Sequence, residues 1–244
     1  MADDRAGSED LARHEPGWGM GDAVLGMVVS LFLSVVAFAV ALGITGDEDL
    51  EDIPLWGTAV LQLPLWAGLL GVVWFASTRK GTGSLRRDFG LRIELRDVPV
   101  GLLAGLAGQI GIGLTVLLLY DALGIDADRL GETAEALAER AVTAVDVVFL
   151  VLIVVVGAPV VEELFYRGLW LRSIERRTGR RAVAVVGSSL VFGLAHLQLF
   201  DLVSLTLAGL LFAWLAVRAG RLGPAIWAHV AFNLTAVISL LATS

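Results

Sequence analysis

The chain has 244 residues, of which 57% are hydrophobic and 18% charged. Soluble domains carry about 25% charged residues, so the composition sets aside a soluble globular class and points to a membrane protein. There is no cysteine, which excludes disulfides and thiolate metal sites, and the net charge of −7 informs mainly through its distribution along the chain.

The first 20 residues are polar and mixed in charge, without the basic start and cleavage site of a signal peptide. They predict a disordered tail (1–20), with His14 solvated, ahead of a membrane-embedded helical domain over 21–244. A spanning helix needs roughly 20 apolar residues. Four uncharged runs reach that length, at 23–46, 53–78, 98–120 and 222–244. Three more are shorter or interrupted: 147–161, ended by Glu162; 182–200, containing His196; and 202–217. The expected fold is all-α, a polytopic membrane bundle of about seven helices, or eight if a short span is hidden. The small residues of GLLAGLAGQIGIG (101–113) suit close helix packing in lipid.

The connecting loops alternate in sign. Loop 47–54 holds five acids and no base, and loop 121–141 holds six acids against Arg129 and Arg140. Loop 78–97 and segment 166–181 carry six bases each, and Arg218 and Arg221 sit in the last connector. Excess Lys and Arg marks cytoplasmic loops. The reading is therefore a multi-pass cell-membrane protein with a cytoplasmic N-terminus, whose partner is the lipid bilayer rather than nucleic acid. Leu130, Ala134, Leu137 and Ala141 recur at helical spacing in the outer loop and predict a short interfacial helix.

Ionisable residues inside membrane helices are costly and usually functional. Here they are Glu162, Glu163, His196 and His229, joined by Asn233, the only asparagine of the chain. Asn233 follows His229 by four residues, so the two share a helix face. Glu162 or Glu163 lies about 16 residues before the Gly179 turn and His196 lies 17 after it, which sets them at similar depth in an antiparallel hairpin. His229 falls roughly 8 Å inside the helix that starts after Pro224. Two carboxylates, two imidazoles and a carboxamide suit water chemistry. A desolvated carboxylate can serve as general base, and His229 and Asn233 could donate to a developing oxyanion. Arg167 fits an ion pair with Glu163 in the favourable order, which leaves Glu162 free for chemistry. The plainer alternatives are a structural salt bridge and satisfied packing histidines. Asp146 and Asp201, at helix ends, read as caps or interfacial groups.

The chain resembles the CPBP family of intramembrane proteases (CAAX prenyl endopeptidases, bacteriocin-processing and Abi proteins). EExxxR stands here as Glu162, Glu163 and Arg167; FxxxH as Phe192 and His196; HxxxN as His229 and Asn233. The similarity extends over roughly 85–244, with the motifs in 154–235 and a protease core over 142–244. It implies an endopeptidase opening toward the cytoplasm and acting on a peptide or membrane-protein substrate. It also implies that Glu162 and His196 activate water while His229 and Asn233 hold the tetrahedral intermediate. The family is often labelled metalloprotease. Glu162, His196 and His229 could make a three-ligand zinc site, and equally could work as a metal-free base. Two other classes stay open: a transporter with a Glu/His proton relay, for which no inverted repeat is visible, and an inert membrane or immunity protein.

Overall fold

The computed structural model describes residues 16–45 and 53–243. Its elements are α1 (Met20–Thr45), α2 (Leu55–Lys80), the short α3 (Leu85–Phe89), α4 (Asp97–Leu123), α5 (Glu132–Glu139), α6 (Ala144–Thr178), α7 (Arg181–Ala195), α8 (Leu202–Ala219) and α9 (Gly223–Thr243). Among the described residues there is no strand. Six helices are long and apolar enough to cross a membrane, and α7 is a shorter apolar helix. The turn after α7 extends its reach: Tyr120 at the end of α4 donates its hydroxyl to Phe200 O over 2.7 Å. Among the described residues the chain thus passes seven times between two ends, with no eighth pass.

The two ends differ in charge. At one, Arg176 donates to Trp18 O and Pro16 O, and Lys80 pairs with Asp22 at 2.6 Å. Arg221 there grips the buried Asp97 through Nε and Nη2, while Leu222 N–H donates to Gly90 O. At the other end Arg140 donates to Ile53 O and Thr58 Oγ1, and Gly131 N–H donates to Asp201 Oδ1. The basic segments of the sequence therefore share one end and the acidic loop 121–141 lies at the other. Helix α5 lies where the spacing predicts a helix but is shorter, leaving Leu130 and Ala141 outside it; Ala138 is buried and Leu137 packs beside the core of Leu55, Leu150, Val155 and Val237.

Local signals explain the breaks. Helix α6 opens on a capping box in which Thr143 Oγ1 accepts from Asp146 N and Asp146 accepts from Thr143 N. It ends at Gly179, whose φ of 66° is the left-handed cap that turns the chain into α7. The most extensive pairing joins α4 to α9. A Cβ on Gly105 would fall 2.8 Å from the Ala231 Cβ, so the absence of a side chain lets these backbones meet.

The sequence places a disordered tail over 1–20. Residues 1–15 lie outside the described residues, but 16–19 are docked: Trp18 is buried, with its ring 5.0 Å from that of Phe89 and 4.7 Å from the Arg176 guanidinium. An aromatic ring and a cation on the folded body hold this stretch, which polarity counted along the chain does not reveal. His14 and most of the acidic loop 47–54 likewise fall outside the described residues.

Candidate active site

Helix α6 runs 35 residues, about 50 Å, and is not regular. It widens into π turns over Val151–Gly157 and Glu163–Trp170, which bracket Glu162. Such turns release carbonyls from the helical ladder and concentrate at functional sites. The first has a visible cause. Ala158 N–H bonds Ile153 O, and Pro159 has no N–H to give. Val154 O is thereby left open, and Asn233 Nδ2 fills it at 2.8 Å.

One turn of helix beyond Pro159, Glu163 and Arg167 are fully enclosed, at 0% and 1% exposure. Arg167 Nη1 lies 2.9 Å from Glu163 Oε1. The same oxygen meets His229 Nδ1 at 3.0 Å, which assigns the hydrogen to Nδ1 and turns Nε2 toward the reactive side. Arg167 Nη2 donates to Gly209 O in α8 at 3.1 Å. Its guanidinium lies 4.4 Å from the Phe192 ring centre and 5.5 Å from that of Phe212. Phe212 in turn stacks on His229, with centroids 4.5 Å apart and planes 18° from parallel. A buried charge needs partners of this kind, because desolvation otherwise costs several kcal/mol per ion.

Glu162 points elsewhere. Its Oε2 is buried without a hydrogen-bond partner, 3.9 Å from His229 Nε2. That gap is too long for a direct bond and suits a bridging water. His196 sits at the end of α7, one turn beyond Phe192, where its Nδ1 is 2.7 Å from Phe192 O. Among the described residues no hydrogen bond or ion pair joins His196 to Glu162. The structure thus brings Glu162, Glu163, Arg167, Phe192 and His229 together, ties Asn233 to α6 one step away, and leaves His196 beside Phe192.

The expected three-ligand zinc set is not assembled. Among the described residues no group of three or more His, Asp or Glu side chains is placed to hold a metal ion. Glu162 Oε2 and His229 Nε2 offer two donors, whereas a catalytic zinc site takes three. The residues as placed do not fit the metal. His196 is the absent third donor because its ring is held back on its own helix by Phe192 O.

On the far side of Asn233 a cavity of about 350 Å³ opens toward the acidic end. Val154, Asn233, Phe232 and Gln109 line its deep part, and Glu135 and Asp201 its mouth beneath α5. Residues that sequence reasoning passed over are Phe212, Gly209 and the Val154 carbonyl. Only Pro159, a proline inside an apolar run, was a readable sign of the last.

No curated protein and no solved structure gives a significant match to the chain. Residues 144–235 match the family described as Type II CAAX prenyl endopeptidase Rce1-like. The matched stretch begins at the first residue of α6 and ends two residues past Asn233, so it encloses Glu162, Glu163, Arg167, His196, His229 and Asn233. Residues 144–235 thus resemble an Rce1-like type II CAAX prenyl endopeptidase domain, and that match, on a chain with six helices apolar enough to cross a membrane among its described residues, supports a membrane protease of the CPBP family.

Proposed function

We propose that the chain is an intramembrane endopeptidase that cleaves a peptide or membrane-protein substrate with water activated by Glu162. The observation that carries this reading is the division of labour between adjacent glutamates. Glu163 is neutralised by Arg167 and bonded by His229, whereas Glu162 Oε2 is buried, unpartnered and 3.9 Å from His229 Nε2. A water between these atoms gives its proton to Glu162 as its oxygen bonds the scissile carbonyl carbon. Protonated Glu162 then passes that proton to the departing amine nitrogen as the C–N bond breaks. His229 Nε2, when it carries a proton, and the second Nδ2 hydrogen of Asn233 face the oxyanion. His196 lies beside Phe192 on α7, with ring centres 4.7 Å apart, and its ring would have to leave Phe192 O to take part in the reaction.

His229 is six residues inside α9 from Gly223, about 9 Å from the basic end. With basic loops cytoplasmic, the N-terminus is cytoplasmic and cleavage falls near that face. The cavity beyond Asn233 has apolar walls and would accept apolar side chains of the substrate.

The test uses detergent-purified protein and quenched peptides ending in a Cys-aliphatic-aliphatic-X sequence, with and without a prenyl group. Wild type should cleave at least one set, and Glu162→Gln should lower the rate by about 10²–10⁴-fold with an unchanged unfolding midpoint. Full activity in folded Glu162→Gln would overturn the assignment. Zinc determined on the same active sample decides the donor question. About one zinc per chain, lost in His196→Ala, would mean that His196 moves to join Glu162 and His229.

A further inference from the structure

A second cavity, of about 130 Å³, lies at the basic end between α6, α7 and α8. Three guanidiniums line it, those of Arg167, Arg172 and Arg181, against one carboxylate, Glu175. Their charges are not equally answered. Arg181 Nε pairs with Glu175 at 2.8 Å, and Arg167 is met by Glu163 on its other side. Among the described residues Arg172 has neither a hydrogen bond nor an ion pair, its Nε is buried, and Glu175 acts on it only through space. Arg167 Nε is also buried without a partner, on a side chain at 0% exposure. An unpaired donor on a buried cation is expensive, because its water has been removed and nothing replaces it.

We propose that this cavity binds a phosphate group. Planar guanidinium forks match phosphate oxygens two at a time. The space holds one tetrahedral group with a little water, and is too small to admit the acyl chains of a lipid. Its position agrees. Arg172 lies six residues before Thr178 on α6, about 9 Å from the helix end. Arg181 opens α7 at the same end. With a bilayer around the apolar spans, this end would lie near the level of its phosphates and would also face water. Two groups oppose an anion here, Glu175 and the carbonyl end of α8. Glu175 is already engaged by Arg181, and Ala219 O accepts from Arg221 Nη1 at 3.3 Å. The least answered charge is that of Arg172, which shares Glu175 with Arg181. A phosphate there would also reach the open edge of Arg167, the cation that holds Glu163, so occupancy would stiffen the support of the hydrolytic pair from behind.

The experiment is thermal unfolding of the full chain in non-ionic detergent. The two probes are inorganic phosphate, at ionic strength held constant with chloride, and sub-micellar dihexanoyl phosphatidylglycerol. Ligand at ten times its Kd should raise the wild-type midpoint by about 3–6 °C. Arg172→Gln should abolish the rise, while Arg177→Gln, an exposed arginine on the same helix, should keep it. A rise with the lipid alone assigns the phosphate to a headgroup, and a rise with the ion alone assigns it to a soluble phosphate. A rise with both assigns the bare group. No Arg172-dependent rise with either probe, or equal loss in Arg177→Gln, would overturn the site. Should Arg172→Gln fail to unfold cooperatively, Arg172→Lys keeps the charge and removes the fork. It should reduce the rise severalfold, and an undiminished rise would sink the proposal.

Discussion

Asn233 donates its Nδ2 to the main-chain oxygen of Val154 across 2.8 Å, from one membrane helix to another. The acceptor exists because Ala158 N–H is committed to Ile153 O and Pro159 has no N–H. Removing the donor leaves a carbonyl without a partner at membrane depth, so Asn233→Ala should cost about 1–3 kcal/mol. Pro159→Ala supplies a new N–H in the π register and should blunt that penalty. A double-mutant cycle on unfolding free energies should therefore return a coupling of at least about 0.5 kcal/mol. Strict additivity would show that the proline and the asparagine are unconnected.

The Glu163–Arg167 pair makes a second stability prediction. Both side chains are at 0% exposure, 2.9 Å apart. Deleting one charge strands the other, at about 3–5 kcal/mol for a buried pair. Arg167→Met and Glu163→Gln should each fall in that range. The double variant, which buries no unpaired charge, should lose much less than their sum. Denaturant unfolding of the four proteins gives the answer, and a double variant as unstable as the sum would mean that neither charge needs the other.

Asp201, in the turn between α7 and α8, carries a pH signature. Burial raises its pKa above the ordinary 3.8, aided by the nearby Glu132, while the Gly131 N–H bond and the charge of His196 oppose the shift. The folded state then holds its proton to higher pH than the unfolded chain does. Stability from this group is full below 3.8 and is lost as pH rises through the folded value. Asp201→Asn keeps an acceptor for Gly131 N–H and cannot ionise. It should unfold at a higher temperature than wild type at pH 7, with the difference vanishing as pH falls below 4. A difference independent of pH would remove Asp201 from the titration.

Much of this molecule is written in its sequence, for a physical reason. Lipid demands long apolar runs and puts charge in the loops, so the spans and the two-ended charge pattern were legible. The costly buried groups stood out against the apolar background, and with them Glu162, Glu163, His196, His229 and Asn233. What could not be read was how α6 deforms. Hydropathy is blind to the π turns that rotate Glu162 relative to Val154, and counting residues sets His196 level with Glu163 without saying which way its ring turns. Trp18 was hidden for a similar reason. Its burial depends on Phe89 and Arg176, residues distant in the chain that only the fold brings to it.

Phe212 is the residue on which the imidazole geometry rests. Its ring lies nearly parallel to His229 at 4.5 Å and also flanks Arg167. Glu163 fixes the Nδ1 side of His229, but a single bond leaves the ring free to rotate about that axis. Stacking removes the freedom and keeps Nε2 turned to Glu162. Phe212→Leu preserves most of the volume and loses the flat face. It should lower stability modestly, since the site remains filled by an apolar side chain. The cleavage rate should fall more sharply, with kcat reduced about tenfold or more and KM little changed, because misorientation acts on the transition state. Phe212→Tyr, which keeps the ring, should restore most of kcat if its hydroxyl finds room. The measurement is a full kinetic curve on any substrate that wild type cleaves. A rise in KM with kcat intact would instead assign Phe212 to substrate binding, and unchanged kinetics in a folded Phe212→Leu would free His229 from this support.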